Sequence, residues 1–213
     1  MVRLRVGVLA SGRGTDFQSL VDARDRGDLS VDLAILVCNV PGAPVLERAK
    51  KSGVPTVVVD HRPFGKDRDG FEREVVKALR AARTELVVFA GFMRLVTSYF
   101  VGQFPMRIMN IHPSLLPAFP GTHAQRDALE AGVKVTGCTI HFVDASVDGG
   151  PIILQKAVPI HEDDTEGTMA ARILEQEHIL LPLAVRLFAE GRLKVESRRV
   201  RIDTRGISLP SMA

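Results

Sequence analysis

The 213-residue sequence predicts a single α/β domain, a mostly parallel, twisted sheet with helices on both faces. Two observations carry that prediction. Over the first half of the chain, short apolar runs alternate with segments of helical periodicity; after His112 the rhythm changes to two longer β runs and one long helix. No repeat, low-complexity tract or linker interrupts the chain, so functional residues are expected at loop ends of one sheet, where open α/β folds place ligands.

The strands are read at Leu4–Leu9, Leu33–Cys38, Thr56–Val59, Leu86–Phe89 and Arg107–Ile111. They are near-continuous apolar runs, the pattern of strands covered on both sides. Helices are read between them at Phe17–Arg26, Val45–Ser52, Phe71–Ala82 and Thr97–Gln103, giving a Rossmann-like frame. A proline-rich loop from Pro113 to Pro120 leads to a helix near Ala124–Glu130. Two β runs, Val135–Val143 and Ile152–Val158, joined through Asp144–Gly150, form an antiparallel addition. A long helix from Thr165 to Ala189 closes the fold, with Thr165-Glu166 as its start and Gly191 as its stop.

Composition bounds the function. A chain of 213 residues can bury a core without disulfides or metal. Its two cysteines, Cys38 and Cys138, lie in apolar strand segments and lack further partners at metal-ligand spacing, so reduced core thiols and no metal site are expected. The first strand is too short for a signal peptide or membrane span, so a cytoplasmic protein with no membrane partner is expected. The net charge of +3 is mild. Part of the excess comes from Arg198-Arg-Val-Arg201 and Arg205, read as a solvated basic tail because no aromatic residues are interleaved for stacking. No nucleic-acid partner is expected.

Residues two apart on a strand point to the same side, so Asn110 and His112 project together from the run Met106–Ile111, which Pro113 ends. An amide donor, an imidazole and a carboxylate at Asp148 are the parts needed to stabilise an oxyanion and move a proton. Each also has a structural reading. His112 suits a satisfied core histidine, Asn110 a strand-end cap, and Asp148-Gly149 a tight hairpin turn.

The loop Ala10-Ser-Gly-Arg-Gly-Thr-Asp16 follows the first strand and opens the first helix, placing backbone N–H groups and a helix N-terminus to receive an anion. It is no dinucleotide fingerprint, because Phe17 stands where the third glycine belongs and the second strand ends in Cys38-Asn39 without an acidic residue. Nor does it end in Gly-Lys-Ser/Thr. One phosphate monoester suits it; a glycine turn that merely lets strand and helix pack is the alternative.

The run Asn110-Ile-His-Pro-Ser-Leu-Leu-Pro-Ala-Phe-Pro-Gly121, with Asp148, resembles the signature of the folate-dependent formyltransferases. The glycine loop is similar to that of the phosphoribosylglycinamide formyltransferase family. The likeness continues through Phe89-Ala-Gly-Phe-Met-Arg94, His141-Phe-Val, Asp148-Gly-Gly-Pro-Ile-Ile-Leu-Gln155 and Gln176-Glu-His178. This resemblance implies a formyl transfer from 10-formyltetrahydrofolate to the amine of glycinamide ribonucleotide, with Asn110, His112 and Asp148 catalytic and no metal. Ser11, Gly12, Gly14, Thr15 and Asp16 would line the phosphate, Arg13 would add positive charge, and Glu177 would hold the glycinamide end. Folate would lie along Phe92, Met93, Arg94, Leu95 and the loop holding Val143, Asp144 and Val147. Arg68, in the loop after the third strand, would serve the phosphate or the folate.

Residues 1–105 would then form the ribonucleotide-binding half and residues 106–213 the catalytic and folate-binding half of one domain, as a monomer or homodimer. The family usually has Asn where Asp16 stands; a carboxylate there is expected to face away from the phosphate and cap the helix. Without the resemblance, Glu177 reads as part of a solvated helix face, and His141 and His178 as packing or hydrogen-bonding residues. A tRNA-directed formyltransferase would need an added domain, and a formyltetrahydrofolate hydrolase a regulatory domain before the first strand. A noncatalytic phosphate- or folate-binding module is the reading from another class; the co-occurrence of Asn110, His112 and Asp148 counts against it.

Overall fold

The computed structural model describes residues 3–211. Its first half alternates as expected: β1 (Leu4–Ala10), α1 (Thr15–Asp25), β2 (Val31–Cys38), α2 (Pro44–Lys51), β3 (Thr56–Val58), α3 (Arg68–Ala81), β4 (Leu86–Phe89), α4 (Ser98–Gln103) and β5 (Ile108–His112). Then come α5 (Ala124–Glu130), β6 (Val135–Phe142), β7 (Ile152–Pro159), α6 (Glu166–Ala189), β8 (Leu193–Glu196) and β9 (Arg199–Ile202). One sheet holds all these strands in the order β3-β2-β1-β4-β5-β6-β7-β9-β8. Strands β3 through β5 are parallel, and β6 and β7 join antiparallel.

The chain leaves β1 toward β2 and β3, then returns to the other side of β1 as β4. The loops after β1 and β4 therefore meet at the point where strand order reverses, the position at which such sheets bind ligands. The Ser11 N–H donates to the Gly91 carbonyl at 3.0 Å across that crevice.

Strand alternation divides the core in two. Val6, Val8, Leu36, Cys38, Leu86, Val88, Met109 and Ile111 pack on one face with Phe17 and Leu20 of α1 and Ile173, Leu180 and Leu181 of α6. Leu9, Ile35, Val37, Val87, Phe89 and Ile108 pack on the other with Phe71, Val75 and Leu79 of α3 and Phe100 of α4. Both cysteines are free and buried. Thr165 caps α6 through a reciprocal capping box with Thr168, and Gly191, at φ 66°, follows its end.

Two expectations are corrected. The basic segment is not a solvated tail: Arg199–Ile202 and Leu193–Glu196 form a hairpin on the sheet edge. Leu193, Val195, Val200 and Ile202 pack against the core while Arg199 and Arg201 are exposed, a period-two pattern hidden by the arginine count. Arg68 is likewise not in a loop. It opens α3, which begins ahead of Phe71 because the Asp67 side chain accepts the Gly70 N–H at 2.9 Å as its N-cap.

Candidate active site

β5 and β6 pair so that Asn110 stands opposite His141 and His112 opposite Thr139. The pleat sends these four side chains to one face, while Met109, Ile111, Cys138 and Ile140 between them enter the core beneath. Asp148 arrives from the loop between β6 and β7 with φ 50°.

His112 is buried, and its Nε2 lies 2.8 Å from the Phe119 carbonyl oxygen. A carbonyl only accepts, so Nε2 carries hydrogen and Nδ1 is the nitrogen that faces Asp148, 3.5 Å from Oδ2. The same Oδ2 accepts the Gly121 N–H at 2.8 Å. Gly121 has φ 94°, a conformation that favours glycine. The loop started by Pro113 thus returns to fix both the imidazole and the carboxylate. Thr139 anchors that loop by donating to the Ser114 carbonyl at 2.7 Å and accepting the Leu116 N–H at 3.1 Å.

The Asn110 amide nitrogen lies 3.2 Å from His141 Nε2 and 3.5 Å from Asp148 Oδ1. His141 Nδ1 donates to the Phe142 carbonyl at 2.9 Å, which leaves Nε2 to accept and so fixes which way the Asn110 amide points. Burial holds His141 below the ordinary imidazole range and keeps it a neutral acceptor. Asn110, His112 and Asp148 are therefore brought together. His141 and Thr139 were not predicted to serve the site; their signal was the cross-strand pairing with β5.

In the glycine loop, the Ser11 hydroxyl donates to Asn39 Oδ1 at 2.6 Å and accepts the Met93 N–H at 2.9 Å, so it joins the loops after β1, β2 and β4. Gly12 and Arg13 are exposed. Gly14, at φ 73°, is the α1 N-cap, and a Cβ there would lie 2.3 Å from Val45 Cγ2. Phe17 is fully buried, filling the space that a dinucleotide fingerprint leaves to its third glycine.

The expected capping role of Asp16 is overturned. α1 has no side-chain cap hydrogen bond, and Asp16 follows Thr15 within its first turn. Its Oδ1 is buried without a hydrogen-bond partner, 3.7 Å from His178 Nε2 on α6. Glu177 is also not on a solvated face. It is 7% exposed, on the stripe Met169, Ile173, Glu177, Leu181 that packs into the core; its four-residue register with apolar neighbours was the available signal. Burial, then the Asp16 charge, pushes Glu177 up to about 8. Burial pushes Asp16 up to about 6, against the opposing pull of Arg13. Burial, then Glu177 and Asp16, raises Cys138 to about 12, so its thiol stays protonated.

After β4, Met93 and Leu95 are 69% and 58% exposed, and Val147, in the loop between β6 and β7, is 52% exposed. Phe92 packs on Phe89 with ring centroids 5.4 Å apart, and Arg94 lies 5.2 Å over the Phe71 ring. Arg68 donates to the Leu95 carbonyl at 2.6 Å. Val143 packs against the core, and the Asp144 carboxylate closes a turn by accepting the Ser146 N–H at 2.8 Å. Among the described residues, no group of three or more His, Cys, Asp or Glu is placed to hold a metal ion.

Residues 4–185 match the family model described as Formyl transferase. The trifunctional purine biosynthetic protein adenosine-3 of Drosophila melanogaster is 45% identical over 191 residues, which cover 89% of this chain and 14% of that relative. The chain thus spans about a seventh of that relative's length. Phosphoribosylglycinamide formyltransferase of Escherichia coli (strain K12) is 38% identical over 94% of both chains. The structure of glycinamide ribonucleotide transformylase 1 from Symbiobacterium toebii superposes with a TM-score of 0.91, at 50% identity over 94% of both chains. A formyltetrahydrofolate deformylase from Pseudomonas syringae superposes with a TM-score of 0.88 at 25% identity, covering 94% of this chain and 66% of that one. With the family model matched from the first strand into the last helix, and a relative 38% identical along nearly its whole length, the chain belongs to the formyl transferase family.

Proposed function

We propose that this chain transfers the formyl group of 10-formyltetrahydrofolate to the amine of glycinamide ribonucleotide, giving formylglycinamide ribonucleotide and tetrahydrofolate. The single observation that carries this reading is the meeting of Asn110, His112 and Asp148 in a sheet whose first strand leads into a glycine loop that opens α1. The amine nitrogen bonds to the formyl carbon, the bond from that carbon to the folate nitrogen breaks, and the proton lost by the amine goes to that nitrogen. Negative charge grows on the formyl oxygen as the amine attacks. Asn110, its amide aimed by His141, and His112, through Nδ1–H when protonated, are the donors that would meet that charge. Asp148, with Oδ2 3.5 Å from Nδ1, faces that nitrogen and is the group that would carry the amine proton onward.

The α1 N-terminus with Gly12, Arg13, Gly14 and Thr15 would hold the substrate phosphate, with Asp16 and Glu177 facing the rest of the ribonucleotide. Phe92, Met93, Arg94, Leu95, Val143, Asp144 and Val147 would line the folate, and Arg68 would support that surface. The chain is read as one domain, ribonucleotide-binding in residues 1–105 and catalytic in residues 106–213. It is read as acting in the cytoplasm, as a monomer or homodimer and without nucleic acid. Mixing the protein with both substrates and following the folate absorbance tests this. Release of formate without formylated amine would favour the hydrolase reading that the deformylase likeness raises.

A further inference from the structure

The segment from Gly91 to Thr97, between β4 and α4, is tied at every second residue. The Gly91 carbonyl accepts the Ser11 N–H, the Met93 N–H donates to the Ser11 hydroxyl, and the Leu95 carbonyl accepts from Arg68. At Thr97 the partner is Glu72. Its Oε1 accepts the Thr97 N–H at 2.7 Å and its Oε2 the Thr97 hydroxyl at 2.5 Å. Asp69 Oδ1 lies 3.2 Å from the same hydroxyl.

Glu72 is 2% exposed, and its buried neighbours on α3 are Phe71, Val75, Val76 and Leu79. A carboxylate so placed is costly unless hydrogen-bonded, and an apolar residue would serve packing better. Both its oxygens are instead spent on one residue of the segment. Ser11 fixes one end of that segment, while Arg68 and Glu72, four residues apart on α3, fix the other. The backbone is thereby pinned while Met93 and Leu95 turn outward.

We propose that Glu72 is a positioning residue for the folate-facing surface, setting through Thr97 where Met93 and Leu95 meet the formyl-folate substrate. This rests on the function proposed above. Replacing Glu72 releases Thr97 and leaves that end of the segment held by Arg68 at Leu95, without touching the glycine loop, so the two substrates should respond differently. Glu72→Ala is expected to raise KM for 10-formyltetrahydrofolate ~10-fold, leaving KM for glycinamide ribonucleotide within about twofold and kcat within about threefold. Glu72→Gln keeps an acceptor for the Thr97 N–H and should restore KM to within about twofold of wild type. Thr97→Val removes only the hydroxyl bond and should raise the folate KM roughly threefold.

An unchanged folate KM in Glu72→Ala, or both KM values rising together with a lowered Tm, would overturn the proposal. If Glu72→Ala does not fold, an unchanged folate KM in Thr97→Val overturns it. Calorimetric binding of tetrahydrofolate separates the two readings. A wild type that binds tetrahydrofolate without turnover loses the proposed reaction, yet a ~10-fold weaker Kd in Glu72→Ala would still support the positioning role. A wild type that neither binds nor turns over overturns both.

Discussion

Nδ1 of His112 stands 3.5 Å from Oδ2 of Asp148, an oxygen that also accepts the Gly121 N–H at 2.8 Å. That separation is longer than a full hydrogen bond, so a proton on Nδ1 is held near the carboxylate yet remains available to a reacting oxygen. Because the Phe119 carbonyl occupies Nε2, the ring has only this nitrogen to offer.

Asp148→Asn and His112→Ala should therefore each lower kcat by ~10²–10³ while changing KM by only a few-fold, since the contacts they remove form as charge develops. Their double variant should lose little more than the worse single one, because both act on one proton. Steady-state kinetics on the three proteins decide this. A His112→Ala enzyme with near-normal kcat would remove the site from consideration.

His141 is expected to act through Asn110. His141→Phe keeps a ring in the pocket but removes the acceptor that orients the amide, so kcat should fall roughly tenfold with both KM values little changed. Equal kcat in the two proteins would mean that Asn110 is held by other contacts.

Much of this was legible in the sequence because it depends on local pattern. The five parallel strands are apolar runs, and Asn110 and His112 share a face through the two-residue repeat of a strand. What was illegible depends on which elements become neighbours. Nothing in the sequence around Asp16 shows that α1 packs on α6 and sets it near Glu177 and His178, where local rules assign it a cap. The partnership of Glu72 with Thr97, separated by 25 residues, is of the same kind. The β8–β9 hairpin was hidden differently, by composition: its arginines drew attention from the alternation of Leu193, Val195, Val200 and Ile202.

Substrate choice should follow the glycine loop. Glycinamide riboside, lacking the phosphate, should show a KM at least tenfold higher than the ribonucleotide, because the α1 N-terminus and its N–H groups lose their anion. Its kcat should be less affected. Equal use of both compounds would mean that the loop at Gly12–Thr15 is a packing turn, as the close approach of Gly14 to Val45 would by itself allow.

The buried carboxyls of Asp16 and Glu177 should write themselves into the pH dependence of stability. Burial raises both above their ordinary values, to about 6 and about 8, so the folded chain holds these protons more tightly than the unfolded one. Stability from this source is full below the ordinary carboxyl range and is lost as pH rises through about 6 and on toward about 8. Asp16→Asn removes one buried charge and the repulsion that raises its neighbour. Its Tm should therefore fall less than that of wild type between about pH 5 and pH 9. Glu177→Gln should flatten the fall further, because Glu177 carries the larger shift. At alkaline pH, Asp16→Asn should also lower KM for the ribonucleotide, since one fewer negative charge then lies near the anionic substrate at the start of α1. Thermal melts across that range, with KM measured at both ends, test the pair. Parallel Tm curves for all three proteins would show that these carboxyls ionise as freely in the folded chain as in the unfolded one, and that the contact between α1 and α6 does not hold their protons.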